Sequence, residues 1–256
     1  MRYIRIIALS GLLIIMLSLE SCTKPQTAKK ANTETEKSIL LSYSELLEAE
    51  NFRSVKEALK RPEEVFKLIL YNKELETVPS DIAQCSNLNV LELTRNKLKA
   101  LPEEFGEFQH LQALYLGHNQ FKEIPDVIYE LEHLKRLKIN NNPLDSISGD
   151  FNGLDSLQQL DLGATRLEHI PARVFSLNQL KVLIANENQI KSIPEEIQNA
   201  KYLEVLDLSN NALSILPKSI KQCKNLKKID LEGSNMSSAF IVQKLQKWLP
   251  QTDINY

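Results

Sequence analysis

At 256 residues the chain has room for one large domain or an array of repeats, but it is short for two independent cores. Apolar residues make up 43% and charged residues 25%, with 7 Gly, a folding composition that excludes a disordered or collagen-like chain. The balance of 31 basic against 33 acidic side chains, formally -2, gives nucleic acid no electrostatic foothold, and 3 Cys are too few for a disulfide framework.

The first element is an export signal. Arg2 and Arg5 precede an apolar run from Ile6 to Leu17, followed by Ser18-Leu19-Glu20-Ser21-Cys22. A basic start, an apolar stretch short for a membrane span and a small residue at the break have that layout. Leu19-Glu20-Ser21-Cys22 also resembles a bacterial lipobox, with Leu three before the cysteine and a small residue just before it, although Glu20 stands where a small uncharged residue is usual. The resemblance implies that residues 1–21 are a lipoprotein signal peptide and that Cys22 is the lipidated first residue of the mature protein. Its acyl chains would bury about 0.8 kcal/mol per CH₂, so two or three would hold the protein firmly on a membrane. That places it in the bacterial cell envelope, on the outer membrane, facing the periplasm or the surface.

After Cys22, residues 23–37 contain no large apolar side chain but several Lys and Glu, a composition that cannot fold alone and reads as a tether. As a coil it spans roughly 20 Å, and about 50 Å when extended. Residues 38–64 are expected to form an N-terminal helical cap. Ser42-Tyr43-Ser44-Glu45 has the form of a capping box, opening a helical stretch through Leu47, Phe52, Val55 and Leu59.

From Val65 onward the chain can be written in rows of 23, beginning at Val65, Leu88, Leu111, Leu134, Leu157, Leu180, Leu203 and Leu226. The fourth column holds Leu68, Leu91, Leu114, Leu137, Leu160, Leu183, Leu206 and Ile229, and the first, sixth and eleventh are as uniformly apolar. Columns 14, 18 and 21 behave likewise over seven rows, which chance does not produce in a chain 43% apolar. The alternation around columns 4 and 6 is strand periodicity, and one row alone cannot bury its apolar residues whereas eight stacked rows can. Rows such as LQALYLGHNQFKEIPDVIYELEH, from Leu111 to His133, resemble the leucine-rich repeat. The expected fold is therefore an α/β solenoid, a leucine-rich repeat horseshoe with a parallel concave sheet, eight repeats over residues 65–236 and helical caps.

Within this frame Asn96, Asn119, Asn142, Asn188 and Asn211 of column 9 are suited to satisfying buried backbone groups, with Lys73, Thr165 and Ser234 departing from the pattern. Column 15 holds Pro79, Pro102, Pro125, Pro171, Pro194 and Pro217, stiff turns on the outer side, with Ser148 in the fourth row. Cys85 and Cys223 share column 21 six rows apart; at about 4.8 Å per row they stand roughly 30 Å apart, too far for a disulfide. Residues 237–256 form the C-terminal cap: Ser237 or Ser238 can start a helix that turns Ile241, Leu245, Trp248 and Leu249 to one side, with Trp248 as a lid on the last row.

The resemblance implies that residues beside columns 4 and 6 face the concave side and hold partners. The framework is uniform where columns 3, 5 and 7 vary, so specificity is expected in them. Tyr115, His118, Arg136, Lys138 and Asn140 should cluster in the third and fourth rows, and tyrosine and arginine often dominate binding energy. Tyr71 and Ile184 also lie on this face. Farther along, Asp161, Asp207 and Asp230, with Glu232, form an acidic stripe, so a protein ligand of opposite charge polarity suits the surface. The rival to partner binding is a set of plain solvated faces.

Catalysis finds little support. His110 and His133 share column 23 without further ligands at metal spacing, which reads as a solvated pair, and there is no phosphate loop, nucleophile elbow or zinc motif. The expectation is a monomeric, non-enzymatic binding protein with no cofactor or metal, membrane-held by lipid, used for surface adhesion or host interaction or as a periplasmic scaffold for envelope proteins. An enzyme with an unrecognised site is the remaining alternative.

Overall fold

The computed structural model describes residues 40–256; the expected export signal, Cys22 and the expected tether lie outside the described residues. Each of the eight rows contributes a three-residue strand at columns 3 to 5. These are β2 (Lys67–Ile69), β3 (Val90–Glu92), β4 (Ala113–Tyr115), β5 (Arg136–Lys138), β6 (Gln159–Asp161), β7 (Val182–Ile184), β8 (Val205–Asp207) and β9 (Lys228–Asp230). All pair in parallel in sequence order, so the repeat register becomes the sheet register: Leu91 stands opposite Leu68 and Leu114 on one side chain row. Columns 4 and 6 point into one continuous core, in which Leu91, Leu93, Leu114 and Leu137 are fully buried.

Two devices return the chain from one strand to the next. After each strand the residue in column 8 takes a left-handed backbone, with φ between 51° and 58° at Asn72, Arg95, His118, Asn141, Ala164, Glu187 and Asn210 and 70° at Gly233. On the far side the column-15 prolines start 3-10 turns: the Pro102 carbonyl accepts from Phe105 N–H at 3.1 Å, and the Pro125 carbonyl from Ile128 N–H at 3.0 Å. Proline has φ already fixed near the value such a turn needs.

Between these turns the column-9 asparagines form a ladder. Asn119 accepts Leu98 N–H at 3.0 Å and donates to Leu93 and Leu116 carbonyls, both at 3.0 Å, joining its own row to the one before. Asn96, Asn142, Asn188 and Asn211 repeat the arrangement. In the fifth row Thr165 donates both to the Leu162 carbonyl and to Asn188, a shorter substitute for the missing amide. Lys73, at the start, has its backbone N–H taken by Asn96.

The caps differ from the expected single helices. The N-terminal stretch divides into α1 (Tyr43–Glu48), a short strand β1 (Asn51–Phe52) and α2 (Val55–Ala58). The capping box at Ser42 and Glu45 is present, but Ala49 turns extended and ends the helix. Phe52 is then fully buried by β1, which adds a strand to β2. At the other end Ser237 caps a helical run made of α3 (Ser238–Phe240), a π turn (Ile241–Leu245) and α4 (Gln246–Trp248). Ile241, Leu245 and Leu249 are buried on the last row, while Trp248 is half-buried, edge-on to Phe240 at 5.8 Å. A further strand, β10 (Asp253–Asn255), follows and pairs with β9, so the sheet has ten strands where the repeats alone supply eight. Cys85 and Cys223 are buried unpaired thiols.

Candidate interaction surface

Side chains of columns 3, 5 and 7 alternate with the core positions and cover the open, concave face. At its amino-terminal half Tyr115, Arg136 and Lys138 come together as expected: the Arg136 guanidinium lies near enough to the Tyr115 hydroxyl to influence its ionisation, and Lys138 Nζ lies 5.9 Å from the centre of the Tyr115 ring. Burial pushes the Tyr115 hydroxyl pKa up, with Arg136 opposing it. Arg136 also lies over Tyr43 of α1, 5.7 Å from its ring centre, a contact that cap residues gave no hint of. Tyr71 is exposed, with Arg95 over its ring at 5.8 Å.

His118 and Asn140 are joined to each other through the backbone. His118 occupies a left-handed column-8 position and donates its N–H to the Asn140 carbonyl at 2.9 Å, its side chain exposed. Asn140 instead leans over Gly117, where its Oδ1 would lie 2.6 Å from an added Cβ.

The acidic stripe departs from the expectation of a continuous exposed charge. Asp161 is only 8% exposed and accepts Gly163 N–H at 3.1 Å. Asp207 accepts from both the N–H and the hydroxyl of Ser209, at 3.0 and 2.7 Å. Asp230 accepts Glu232 N–H at 3.1 Å and is held by Asn255 of β10 at 3.0 and 2.9 Å. Glu92 does the same for Thr94 at 2.7 Å. A column-5 carboxylate thus closes the turn two residues on, and much of its hydrogen-bonding capacity serves the strand end. Burial raises the pKa of Asp161 and of Glu92. Ile184, half-buried, lines a shallow polar hollow with Asn140, Asp161, Gly163 and Asn186.

On the edge of the solenoid His110 is not the fully solvated partner of His133 that its spacing suggests: its Nδ1 is buried without a hydrogen-bond partner, and burial, then His133, lowers its pKa. Among the described residues no three His, Cys, Asp or Glu side chains are grouped to hold a metal ion, and no helix is long and apolar enough to cross a membrane.

An uninterrupted parallel sheet with one buried and one open face, an asparagine ladder and a fixed repeat length define a repeat solenoid. The leucine-rich repeat family profile matches residues 64–121, 122–167 and 179–236, more than half of the chain, and the chain belongs to that family. The solved structures it resembles include a leucine-rich repeat protein of Leptospira interrogans at 25% identity and TM-score 0.48, with 76% of this chain and 62% of that one covered. Two internalins of Listeria monocytogenes are similar at 20% identity: inlF at TM-score 0.57, covering 79% of this chain and 64% of that one, and inlC2 at TM-score 0.64, covering 76% and 80%. The chain therefore spans just under two thirds of the length of the first two. A search of curated proteins found no match.

Proposed function

We propose that this protein is an envelope lipoprotein that holds a protein partner on the concave face of its sheet. The observation that carries the binding site is the convergence of half-buried Tyr115 and Lys138 with exposed Arg136 on the open face of an otherwise uniform framework. Leucine-rich repeats commonly mediate protein–protein contacts, and aromatic and arginine side chains are frequent binding anchors. The basic patch in the third and fourth rows and the carboxylates toward the last rows give the face two poles, which favours a partner of opposite polarity. Action is by binding; no reaction is assigned to it.

The anchor rests on Leu19-Glu20-Ser21-Cys22 and the short apolar run before it. Palmitate labelling of cells expressing the protein is expected to mark it, and Cys22→Ser to abolish the label; label that survives the substitution rules the anchor out. Proteolysis of intact cells, read by immunoblot of the repeat domain against a periplasmic control, separates the two uses of such a protein. Loss of the domain supports adhesion or host interaction at the surface, and protection supports an envelope scaffold. Crosslinking in cells followed by affinity capture then tests the site itself: Arg136→Ala combined with Tyr115→Ala is expected to lose the principal crosslinked protein, and its retention removes this patch as the anchor.

A further inference from the structure

The amino-terminal cap contains a part that the core does not need. Closure of the first row is achieved by β1 and α2, through fully buried Phe52 and nearly buried Ala58. By contrast α1 buries none of its residues, and Tyr43 and Leu47 on it are 46% and 61% exposed. What holds α1 is a set of polar side chains from the ascending edge of four successive rows.

Leu41, two residues before the helix, is read at both backbone groups. Its N–H donates to Asn89 Oδ1 at 3.0 Å and its carbonyl accepts Gln112 Nε2 at 2.8 Å. Gln112 is tied in turn to Asn89 and to Lys135 Nζ. At the other end of α1, Lys67 Nζ donates to the Leu46 and Ala49 carbonyls at 2.8 and 3.4 Å, and Arg136 covers Tyr43. The floor beneath the segment is therefore polar: Asn89 is 0% exposed and Gln112 5%, and the one apolar side chain fully enclosed on the segment is Leu41. A polar floor regains water when uncovered, so the apolar surface exposed when the segment lifts is chiefly that of Leu41.

We infer that the groove formed by Lys67, Asn89, Gln112, Lys135 and Arg136 is a peptide-binding site, and that residues 40–49 are its built-in, displaceable occupant. The cis segment shows what the site takes. The ligand is a peptide with one extended residue of leucine size whose N–H and C=O are both read, an aromatic residue two positions later to stack on Arg136, and a following helical turn whose carbonyls meet Lys67. An incoming peptide of that chemistry would replace α1 and would meet Arg136 on the same lane as the proposed partner site. The inference rests on the concave-face reading only through this shared Arg136, and the tests below use no partner.

Two measurements on the full chain decide it. In hydrogen exchange of the unmodified protein, the Leu41, Leu46 and Ala49 amides are expected to exchange at least a hundredfold faster than those of Leu93 and Leu116 in the sheet, because α1 opens by itself. Exchange of Leu41 as slow as that of Leu93 would mean that the segment opens only when the protein unfolds, and would overturn the displaceable strap. In the second, a fluorescein-labelled synthetic peptide of residues 40–49 is titrated by anisotropy against the natural chain and against the chain carrying Leu41→Ala and Tyr43→Ala. The weakened strap is expected to bind the peptide at least tenfold more tightly than the natural chain, and Gln112→Ala added to it to lose that gain, with circular dichroism confirming the fold. Equal affinity for both chains, or no binding by the weakened-strap chain, overturns the site.

Discussion

In column 8 the backbone is left-handed in every row, and the side chain there decides what that costs. Asparagine and glycine adopt this region with little or no penalty, so Asn72, Asn141, Asn210 and Gly233 suit it, whereas Arg95, His118, Ala164 and Glu187 are held there by the rows on either side. Ala164→Gly is expected to raise stability by about 0.5–1 kcal/mol, the relief of the left-handed strain less the added freedom of glycine when unfolded, read as a higher urea midpoint with unchanged slope. At Asp161 the same economy works through charge. A carboxyl whose pKa is raised by burial binds its proton more readily in the folded than in the unfolded chain, so its ionised form opposes folding; this cost is absent in acid and grows as pH rises through the unfolded and then the folded pKa. Asp161→Asn keeps an oxygen for Gly163 N–H and removes the buried charge. It should raise Tm at pH 7, with the difference vanishing as the pH drops below the range of ordinary carboxylates. These residue-scale features were only partly legible: the asparagine ladder follows from its spacing, but the burial of Asp161 does not, because nothing in the sequence separates it from Asp207 and Asp230 of the same column until the neighbouring side chains close over it.

Among the turns, that of the fourth row is irregular, and the reason lies one row earlier. Ser148 replaces the proline, and a side chain on Gly149 would run into the ring of Tyr129, which is 9% exposed and packed edge-on against Phe151 at 5.3 Å. A side chain on Gly153 would meet the Tyr129 carbonyl. The two glycines thus make room for the large residue that column 19 carries in the third row. Gly149→Ala is expected to cost about 1–3 kcal/mol by overpacking, and Tyr129→Leu in the same chain to recover at least about 1 kcal/mol of it in a double-mutant cycle followed by denaturant unfolding. Additivity of the two changes would show that the pair does not pack as one unit. Here the sequence reports a departure, Ser148 for proline, without its cause, since Tyr129 and Gly149 are brought together only by stacking. The strands of the caps are hidden in the sequence for a related reason. The helical spacing of the caps is visible from Ser42 and Ser237, but β1 and β10 are too short to have a period, and they pair outside the 23-residue step.

Across the whole molecule, stacking in sequence makes each row depend on its neighbours, and Cys85 and Cys223 report on the two ends. Both thiols are buried, and burial pushes each up to about 11, so neither should react at pH 8 while its row is folded. In a Cys22→Ser chain, thiol labelling through a urea transition should expose the two together if the ladder and core unfold as one. Labelling of one well before the other would show that the solenoid unravels from an end. Repeat length, strand positions, core columns and the leucine-rich repeat class were determined by the sequence alone, because a strict period places equivalent side chains on one face whatever else surrounds them. The tertiary structure decided what the period leaves out. It brought Tyr43 of the cap onto Arg136, set Leu41 on Asn89 and Gln112, and turned the carboxylates of the acidic stripe toward their own strand ends. The contacts of the cap join residues with no common register, so they exist only once the rows are stacked and the cap has folded back along their edge.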